Sequence, residues 1–200
     1  MTNALLPTAA AKYIRRMAQW KDDRHDRAVH EAAHAVVARK LGLAVPHVTI
    51  RKGCAHALSE SASYLAQDAD VATRIVALEK DAMVQQAGFD ANAHDYPYPV
   101  EAPDLFDVAD DADTDTINTR DIIYKIFCLQ TGRPFNGSGE DITVGRDVMS
   151  AMNEIYKQVI HKTYVLVDQN WPTILRVAKH LERHGDIDDQ ASLDRLILRN

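Results

Sequence analysis

The sequence predicts a single domain over residues 1–200 that is mainly α-helical, with one small β element. Two observations predict this class. Apolar residues recur three and four positions apart through most of the chain, as in helices that bury one face, whereas residues 47–51 alternate like a strand. Hydrophobic residues make up 46% and charged residues 26% of the chain, which is the usual balance of a globular domain.

In the first half of the chain the boundaries follow from capping and turn residues. Asp22 or Asp23 can cap a helix whose apolar stripe ends before Gly42, because aspartate accepts the free amides of a first turn and glycine adopts a left-handed stop. Pro46 forces an extended backbone into the strand that follows it. The expected elements are helices over 9–20 and 23–41, a strand over 47–51 and a second short strand within 57–65.

In the second half, a helix that begins after Asp68 or Asp70 is expected to stop at Gly88. Residues 88–114 then contain three prolines and many aspartates, which indicates a long acidic loop or an insertion. Helical spacing returns after it, with Asn170 as a cap and Gly185 as a stop. The expected helices here cover 115–129, 141–169, 171–184 and 193–198.

Charge and composition argue against several classes of protein. The chain has 23 basic and 29 acidic side chains and a formal charge of −6, whereas nucleic-acid binding needs a basic surface. No run approaches the roughly 18 consecutive apolar residues of a membrane span. Cys54 and Cys128 form neither a disulfide framework nor a CxxC pair. We therefore expect a cytoplasmic protein with no nucleic-acid partner and no membrane span.

One motif carries chemistry: His30, Glu31 and His34 form an H-E-x-x-H sequence within the expected helix. Side chains four residues apart lie above one another on one helical face, so both imidazoles can reach one ion. Glu31 is turned by about 100° around the axis and can contact a metal-bound water without binding the metal. Imidazole nitrogens suit Zn²⁺, and a catalytic zinc has three protein ligands and a water. The motif therefore predicts a zinc site that needs one more ligand.

Spacing alone does not select that third ligand. The pattern that continues with a glycine and a third histidine is excluded, since Val37 and Lys40 occupy those positions. A glutamate from a following helix, or an aspartate where a helix begins after the acidic loop, would each complete the site. The candidates are Glu79 or Glu60 for the first arrangement and Asp113 or Asp115 for the second.

The motif and its flanks resemble a known family. Residues 28–37, followed by Leu41-Gly42 and by the strand at 46–50, are similar to the peptidase domain of the FtsH-type ATP-dependent zinc metalloproteases. That family reads approximately HEAGHA, an apolar helix and a V-x-I strand at this distance. Residues 87–91 resemble the family's AGRAAE turn more loosely, and Thr114-Asp115 resembles its N-D-[IL] signature.

This resemblance implies a zincin-like fold and a zinc-dependent endopeptidase that hydrolyses a polypeptide substrate. His30 and His34 would bind Zn²⁺, and Asp115 would be the third ligand. Glu31 would be the general base that acts on a metal-activated water. The alternatives for the third ligand are Asp113, if the acidic loop aligns two residues differently, and Asp141, which also begins an expected helix and precedes an isoleucine.

The sequence departs from the family at several places. Ala33 replaces the glycine of the motif, Asn92 stands where the family has a glutamate, and residues 95–111 resemble an insertion. No G-x-x-x-x-G-K phosphate-binding loop occurs, so we expect no ATPase activity in this chain. A homo-oligomer and a separate ATPase partner both stay open.

Two further functions stay open beside the peptidase. One is a non-catalytic helical interaction or regulatory module derived from a metallopeptidase, which a closed four-ligand zinc site would favour. The other is a zinc hydrolase of a small amide, which a closed pocket beside the motif would favour. For the peptidase, residues 48–51 are expected to offer a sheet edge to which an extended peptide adds as another strand.

Overall fold

The computed structural model describes residues 23–94, 114–135 and 145–198, and helices account for 73% of them. The expected mainly α-helical class is therefore confirmed. The helix expected over 9–20 lies outside the described residues. None of the described helices combines the length and apolarity needed to cross a membrane.

In chain order the elements are α1 (Arg24–Lys40), β1 (His47–Thr49), β2 (His56–Leu58), α2 (Ala62–Leu65), α3 (Val71–Asn92), α4 (Thr114–Thr131), α5 (Arg146–Gln169), α6 (Trp171–His184), β3 (Asp186–Ile187) and α7 (Gln190–Leu198).

Helix α1 carries the H-E-x-x-H motif and is buried on nearly all sides. Its N-terminus is capped as expected, because the Asp23 side chain accepts two amide hydrogen bonds from the first turn. Gly42 follows the last turn with a φ of 85°, a conformation that glycine adopts without strain. Every residue from Arg27 to Ala38 is buried. The helix therefore packs against neighbours around its whole circumference rather than along a single stripe.

The three strands form a small antiparallel sheet in the order β2-β1-β3. Val48 of β1 pairs with Ala57 on one side and with Ile187 on the other. Because β1 is the central strand, the expectation that residues 48–51 offer a free sheet edge is wrong. The sequence does not predict β3, since a two-residue strand shows too little alternation to recognise.

Helix α3 begins at the expected cap but ends later than expected. The Asp70 side chain accepts a hydrogen bond from the Thr73 amide at 2.9 Å. The prediction that this helix stops at Gly88 is wrong, because the helix continues for another turn to Asn92. Gly88 lies inside it, packed against the ring of His30. The predicted acidic loop therefore starts only after α3, and most of it lies outside the described residues.

The last three helices end where the sequence predicts, but two of them begin at other residues than expected. Gly185, with a φ of 87°, ends α6 as predicted. Helix α5 has Gly145 as its N-cap, so the start expected at residue 141 is not reproduced in the described part of the helix. Helix α7 begins before the expected residue 193, because the Asp189 side chain accepts hydrogen bonds from the amide and hydroxyl of Ser192.

Helix α3 lies between two apolar cores. One core contains α1, the sheet, α6 and α7, and the other contains α4 and α5. The α3 residues in the first core are mostly small, which lets the backbones of α1 and α3 approach closely: Ala77, Val84, Ala87 and Ala91. This close approach brings the motif histidines against the backbone of α3.

Asp90 is a buried carboxyl group on α3 with little polar compensation. It is 2% exposed, and its Oδ1 accepts a hydrogen bond from Gln86 Nε2 at 3.0 Å. Its Oδ2 has no hydrogen-bond partner within the described residues. Burial raises the pKa of Asp90 to about 7, against the opposing effect of the Gln86 hydrogen bond. Ionising this carboxyl group in the folded protein is therefore unfavourable.

Asp90→Asn should make stability less sensitive to pH. The folded pKa lies above the ordinary value of 3.8, so the stability contributed by this group is fully present in acid and is lost as the pH rises toward about 7. Asparagine stays neutral throughout. We expect the variant to gain up to a few kcal/mol over the wild type at about pH 8, and much less at about pH 4.

Urea unfolding at both pH values measures this difference. Asp188→Asn is the matched control, because that side chain is 85% exposed, and it should change stability little at either pH. An Asp90→Asn variant that gains the same amount in acid as in mild base would contradict the assignment.

Candidate metal centre

His30 and His34 place two ring nitrogens at one point beside α1. The two rings meet edge to face with centroids 4.6 Å apart, and their Nε2 atoms are 2.9 Å apart. His30 is fully buried and His34 is 6% exposed. The four-residue spacing of the motif produces this convergence, as helical geometry predicts.

Asp115 brings a carboxylate to the same point from the first turn of α4. Its Oδ2 lies 3.2 Å from His30 Nε2 and 3.4 Å from His34 Nε2. Within the described part of the chain, these three side chains are the group whose potential ligand atoms could share one ion, all within 4.8 Å of one another. The structure thus brings together the three predicted ligands, while metal binding itself stays a prediction.

The other candidate ligands do not join this triad. Glu79 forms an ion pair with Lys162 of α5, with Oε2 and Nζ 2.6 Å apart. Glu60 accepts a hydrogen bond from the Ala44 amide at 3.3 Å. Both glutamates are thus held by other partners. Asp113 and Asp141 lie outside the described residues.

His34 is oriented by a backbone carbonyl of α3. Its Nδ1 lies 2.6 Å from the carbonyl oxygen of Val84. Since a carbonyl oxygen only accepts hydrogen bonds, Nδ1 must carry the hydrogen and donate it. In the neutral ring the lone pair is then on Nε2, the nitrogen that faces Asp115. This is the usual support of a histidine that binds a metal.

Asn92 supports His30 in a comparable way. Its Nδ2 lies 3.2 Å from His30 Nδ1, whereas its buried Oδ1 has no hydrogen-bond partner in the described part of the chain. Rotating the amide by half a turn exchanges these two similar atoms. Oδ1 then accepts the hydrogen of Nδ1, and the lone pair of His30 moves to Nε2. That rotation both satisfies the orphaned oxygen and prepares His30 to bind a metal.

Gly88 fixes how closely α3 approaches the site. A Cβ at this position would lie 2.5 Å from two atoms of the His30 ring and 2.6 Å from a third. Non-bonded carbon atoms are normally about 3.5 Å apart or more. Glycine is therefore required by the contact with the buried ring, even though it is less favourable than alanine within a helix.

The charges of the triad favour a positive charge between its members. Burial by itself lowers the pKa of His34, but the hydrogen bond and charge of Asp115, then the charge of Glu31 and the Val84 carbonyl, outweigh it and raise the pKa to about 9. Burial raises the pKa of Asp115, but hydrogen bonds to His30 and His34 hold it well below its usual range. An arrangement that stabilises a proton here also stabilises a divalent cation.

The residues present therefore fit a divalent metal such as Zn²⁺. Two imidazole nitrogens and one carboxylate oxygen are a common catalytic zinc set, which leaves one position open. The side chain of Asp115 is 26% exposed, compared with 8% for His34 and none for His30. Solvent reaches the centre from the side of Asp115.

Glu31 lies beside this triad on α1 and is 3% exposed. Burial, the largest single effect, lowers the pKa of His34, whereas the negative charges of Asp115 and of Glu31 raise it. The Glu31 carboxyl group therefore acts on His34 electrostatically. Its role in proton transfer stays a prediction from the motif.

Three supporting residues form a stripe that the sequence reading missed. Val84, Gly88 and Asn92 are each four residues apart, so they share one face of α3 and each contacts a motif histidine. The spacing is visible in the sequence. The expected helix end at Gly88 concealed it, because Asn92 then fell in a loop.

No protein-family model matches the chain, and a search of curated proteins finds no significant match. The resemblance to FtsH-type peptidases accordingly rests on the motif residues and their flanks. It remains a prediction, as does the zincin-like assignment of the fold.

Gly88→Ala should weaken zinc binding although it favours the helix. The new Cβ would collide with the ring of His30 and displace one ligand, whereas alanine is more favourable than glycine in a helix by about 1 kcal/mol. We expect affinity to fall at least about tenfold, as for other changes around a metal site. Competition with a chromophoric chelator measures it.

The control for this variant is Val76→Ala, a change on the same helix at a side chain that is 54% exposed. It should bind zinc as the wild type does. If Gly88→Ala also binds with unchanged affinity, the close contact with His30 does not position the ring.

Asn92→Ala and Asn92→Asp should change zinc affinity in different ways. Alanine removes the hydrogen-bond acceptor of His30 Nδ1 and should cost about 10- to 100-fold in affinity. Aspartate keeps an acceptor and should bind at least as tightly as the wild type. Isothermal titration of each variant measures the effect. An alanine variant with wild-type affinity would show that the amide does not orient His30.

Proposed function

We propose that this chain is a zinc-dependent endopeptidase. The observation that carries the proposal is the convergence of His30, His34 and Asp115 on one point, with Glu31 buried beside them. A bound Zn²⁺ would supply Lewis-acid chemistry, polarising a peptide carbonyl and lowering the pKa of a water molecule toward about 7. The resemblance of the motif to a peptidase family agrees with this proposal.

In this proposal Glu31 transfers the protons. Its carboxylate accepts a proton from water and then donates it to the amine that leaves, so it serves as general base and general acid in turn. Its place in the middle of the buried helix α1 fixes the carboxyl group relative to His30 and His34. Val84 and Asn92 keep the ring nitrogens of the two histidines directed at the centre. Sites built on rigid helices hold such geometry more precisely than loops do.

A cleft that reaches two neighbours of the proposed ligands supports a polypeptide substrate. Its volume is about 270 Å³, and it lies between the segment after β2, α3 and α4. Val84, whose carbonyl binds His34, and Asn118, one turn beyond Asp115, both line it. Glu60 and Asn118 are exposed on its walls. A surface cleft, unlike a closed pocket, can accept the middle of a chain, which favours an endopeptidase over a hydrolase of small amides.

The edge strand of the sheet leads into this cleft. Strand β2 pairs only with β1 among the described strands, and Ser59 and Glu60, which follow it, line the cleft. We propose that an extended substrate adds to β2 by main-chain hydrogen bonds. The substrate would thus add to β2 rather than to residues 48–51, which belong to or follow the central strand.

Glu31→Gln should keep zinc and lose cleavage. The amide has nearly the shape of the carboxylate but cannot accept a proton from water, so we expect a loss of about a hundredfold or more in kcat. Cleavage of an unfolded, fluorescently labelled polypeptide and the zinc content of the same samples provide the two measurements. Equal cleavage by both proteins would remove Glu31 from the mechanism.

His30→Ala and Asp115→Ala test the ligand assignment separately. Each should reduce zinc content as well as cleavage, because three ligands become two. Lys162→Ala is the matched control, since it frees only the alternative ligand Glu79 and should leave zinc unchanged. A variant without His30 that keeps a full zinc complement would contradict the proposed centre. A zinc-loaded wild type that cleaves no polypeptide would favour the non-catalytic module.

A further inference from the structure

A second cavity at the far end of the cleft carries three positive charges. Its volume is about 400 Å³, and Arg74 of α3, Lys125 of α4 and Arg133 line it. None of these three side chains has an ion-pair partner among the residues that the structure describes. The cavity therefore presents a local positive charge on a chain whose formal net charge is −6.

This cavity continues the cleft that Val84 and Asn118 line. Ser63, Leu78 and Lys125 line both cavities, so the two spaces adjoin and share walls. One end of the combined groove lies at Val84, next to His34, and the other lies at the three cations. A single extended ligand can occupy both.

The length of the groove follows from its two helical walls. Arg74 lies ten residues before Val84 on α3, and Lys125 lies ten residues after Asp115 on α4. At 1.5 Å per residue, each wall covers about 15 Å. An extended peptide advances roughly 3.3 Å per residue, so about four or five substrate residues separate the metal centre from the cations.

Two of the three cations are held by aromatic rings, which leaves their charge available. Lys125 Nζ lies over the ring of Phe135, 5.2 Å from its centroid. The guanidinium of Arg133 lies 5.4 Å from the centroid of Phe127. Aromatic contacts orient a cation without neutralising it. A carboxylate that enters the cavity would therefore meet positive charges that no fixed acid cancels.

The acidic side chains of the groove do not neutralise these cations. Asp81 accepts hydrogen bonds from the Ser61 hydroxyl and from the amides of Ala62 and Ser63. Its carboxylate is therefore bound at the start of α2. Asp121, one turn before Lys125 on α4, forms no ion pair with it in the described structure. Among the described residues, acidic side chains line the first cavity (Glu60, Asp81 and Asp121) and none lines the second.

We propose that the Arg74, Lys125 and Arg133 cavity binds a carboxylate of an extended peptide, about four or five residues from the bond placed at the metal centre. The distance of this carboxylate from the cleaved bond rests on the proposed peptidase function, whereas binding of the carboxylate in the cavity does not. It gives the groove a preference for acidic stretches of polypeptide, and it predicts that this preference weakens with added salt.

The test compares two labelled peptides on the full-length, zinc-loaded Glu31→Gln protein, which binds without cleaving. Both are extended and amidated at the C-terminus, and they differ only in a pair of glutamates replaced by glutamines. Fluorescence anisotropy should show about tenfold tighter binding of the glutamate peptide at low salt, and less difference at about 1 M salt. A third peptide, with glutamines and a free C-terminus, tells whether a terminal carboxylate serves as well.

Charge reversal locates the preference. Lys125→Glu combined with Arg133→Glu should abolish it, whereas Lys179→Glu combined with Arg183→Glu should preserve it, since the control pair is exposed on α6 and changes the net charge equally. Circular dichroism and zinc content check the fold of both. Equal binding of the two peptides by the starting protein overturns the inference even if the double variant does not fold.

Cleavage products separate this inference from the proposed function. With the wild-type protein, mass spectrometry should place cuts about four or five residues from the glutamate pair. Cuts without any relation to the pair overturn the inference and leave the peptidase intact. A selective binding of the glutamate peptide with no cleavage by the wild type contradicts the peptidase and leaves the acidic-peptide site intact.

Discussion

Two imidazole rings buried one helical turn apart on α1 govern the arrangement of the elements around them. A buried polar group without a hydrogen bond costs several kcal/mol, and water does not reach the fully buried His30. The surrounding protein must therefore supply the partners. Val84 and Asn92 of α3 and Asp115 of α4 do so, which requires α3 to lie against α1 and α4 to begin beside them. The alanines and the glycine of the α1–α3 contact make that approach sterically feasible.

Much of the helical framework could be predicted from the sequence, because caps and stops are local. Asp23, Asp70, Gly42 and Gly185 act within one turn of the residues that they begin or end, so the printed order of residues contains the signal. Gly88 misleads for the opposite reason: the contact that requires it is with His30, a residue of another helix. The position of β1 between β2 and β3 also depends on pairing across the chain, which short strand patterns do not encode.

The candidate site likewise has a part that the sequence predicts and a part that it does not. His30, Glu31 and His34 follow from one helical spacing, and the structure brings the two rings together. Asp115 is 85 residues from His30, so spacing does not distinguish it from Asp113 or from the two glutamates as the third ligand. Only the family resemblance favours Asp115. The sequence does not predict the supporting role of Asn92, which stands out only as a departure from the family. A hydrogen bond to the second ring nitrogen of a histidine leaves no pattern in the sequence, because it depends on how α3 packs.

The three proposed ligands are not held with equal rigidity, and this bears on how the centre could work. His30 and His34 project from the middle of α1, where every backbone amide is bonded within the helix and packing is complete. Asp115 projects from the first turn of α4, where amides lack helical partners and a carboxylate is favoured by the helix dipole. Its side chain is also the most exposed of the three. The carboxylate of Asp115 is therefore less constrained than the two imidazoles, which packing surrounds on every side. In the proposed centre the histidines would fix the position of the metal, and Asp115 would complete its ligands from the side that is more open to solvent.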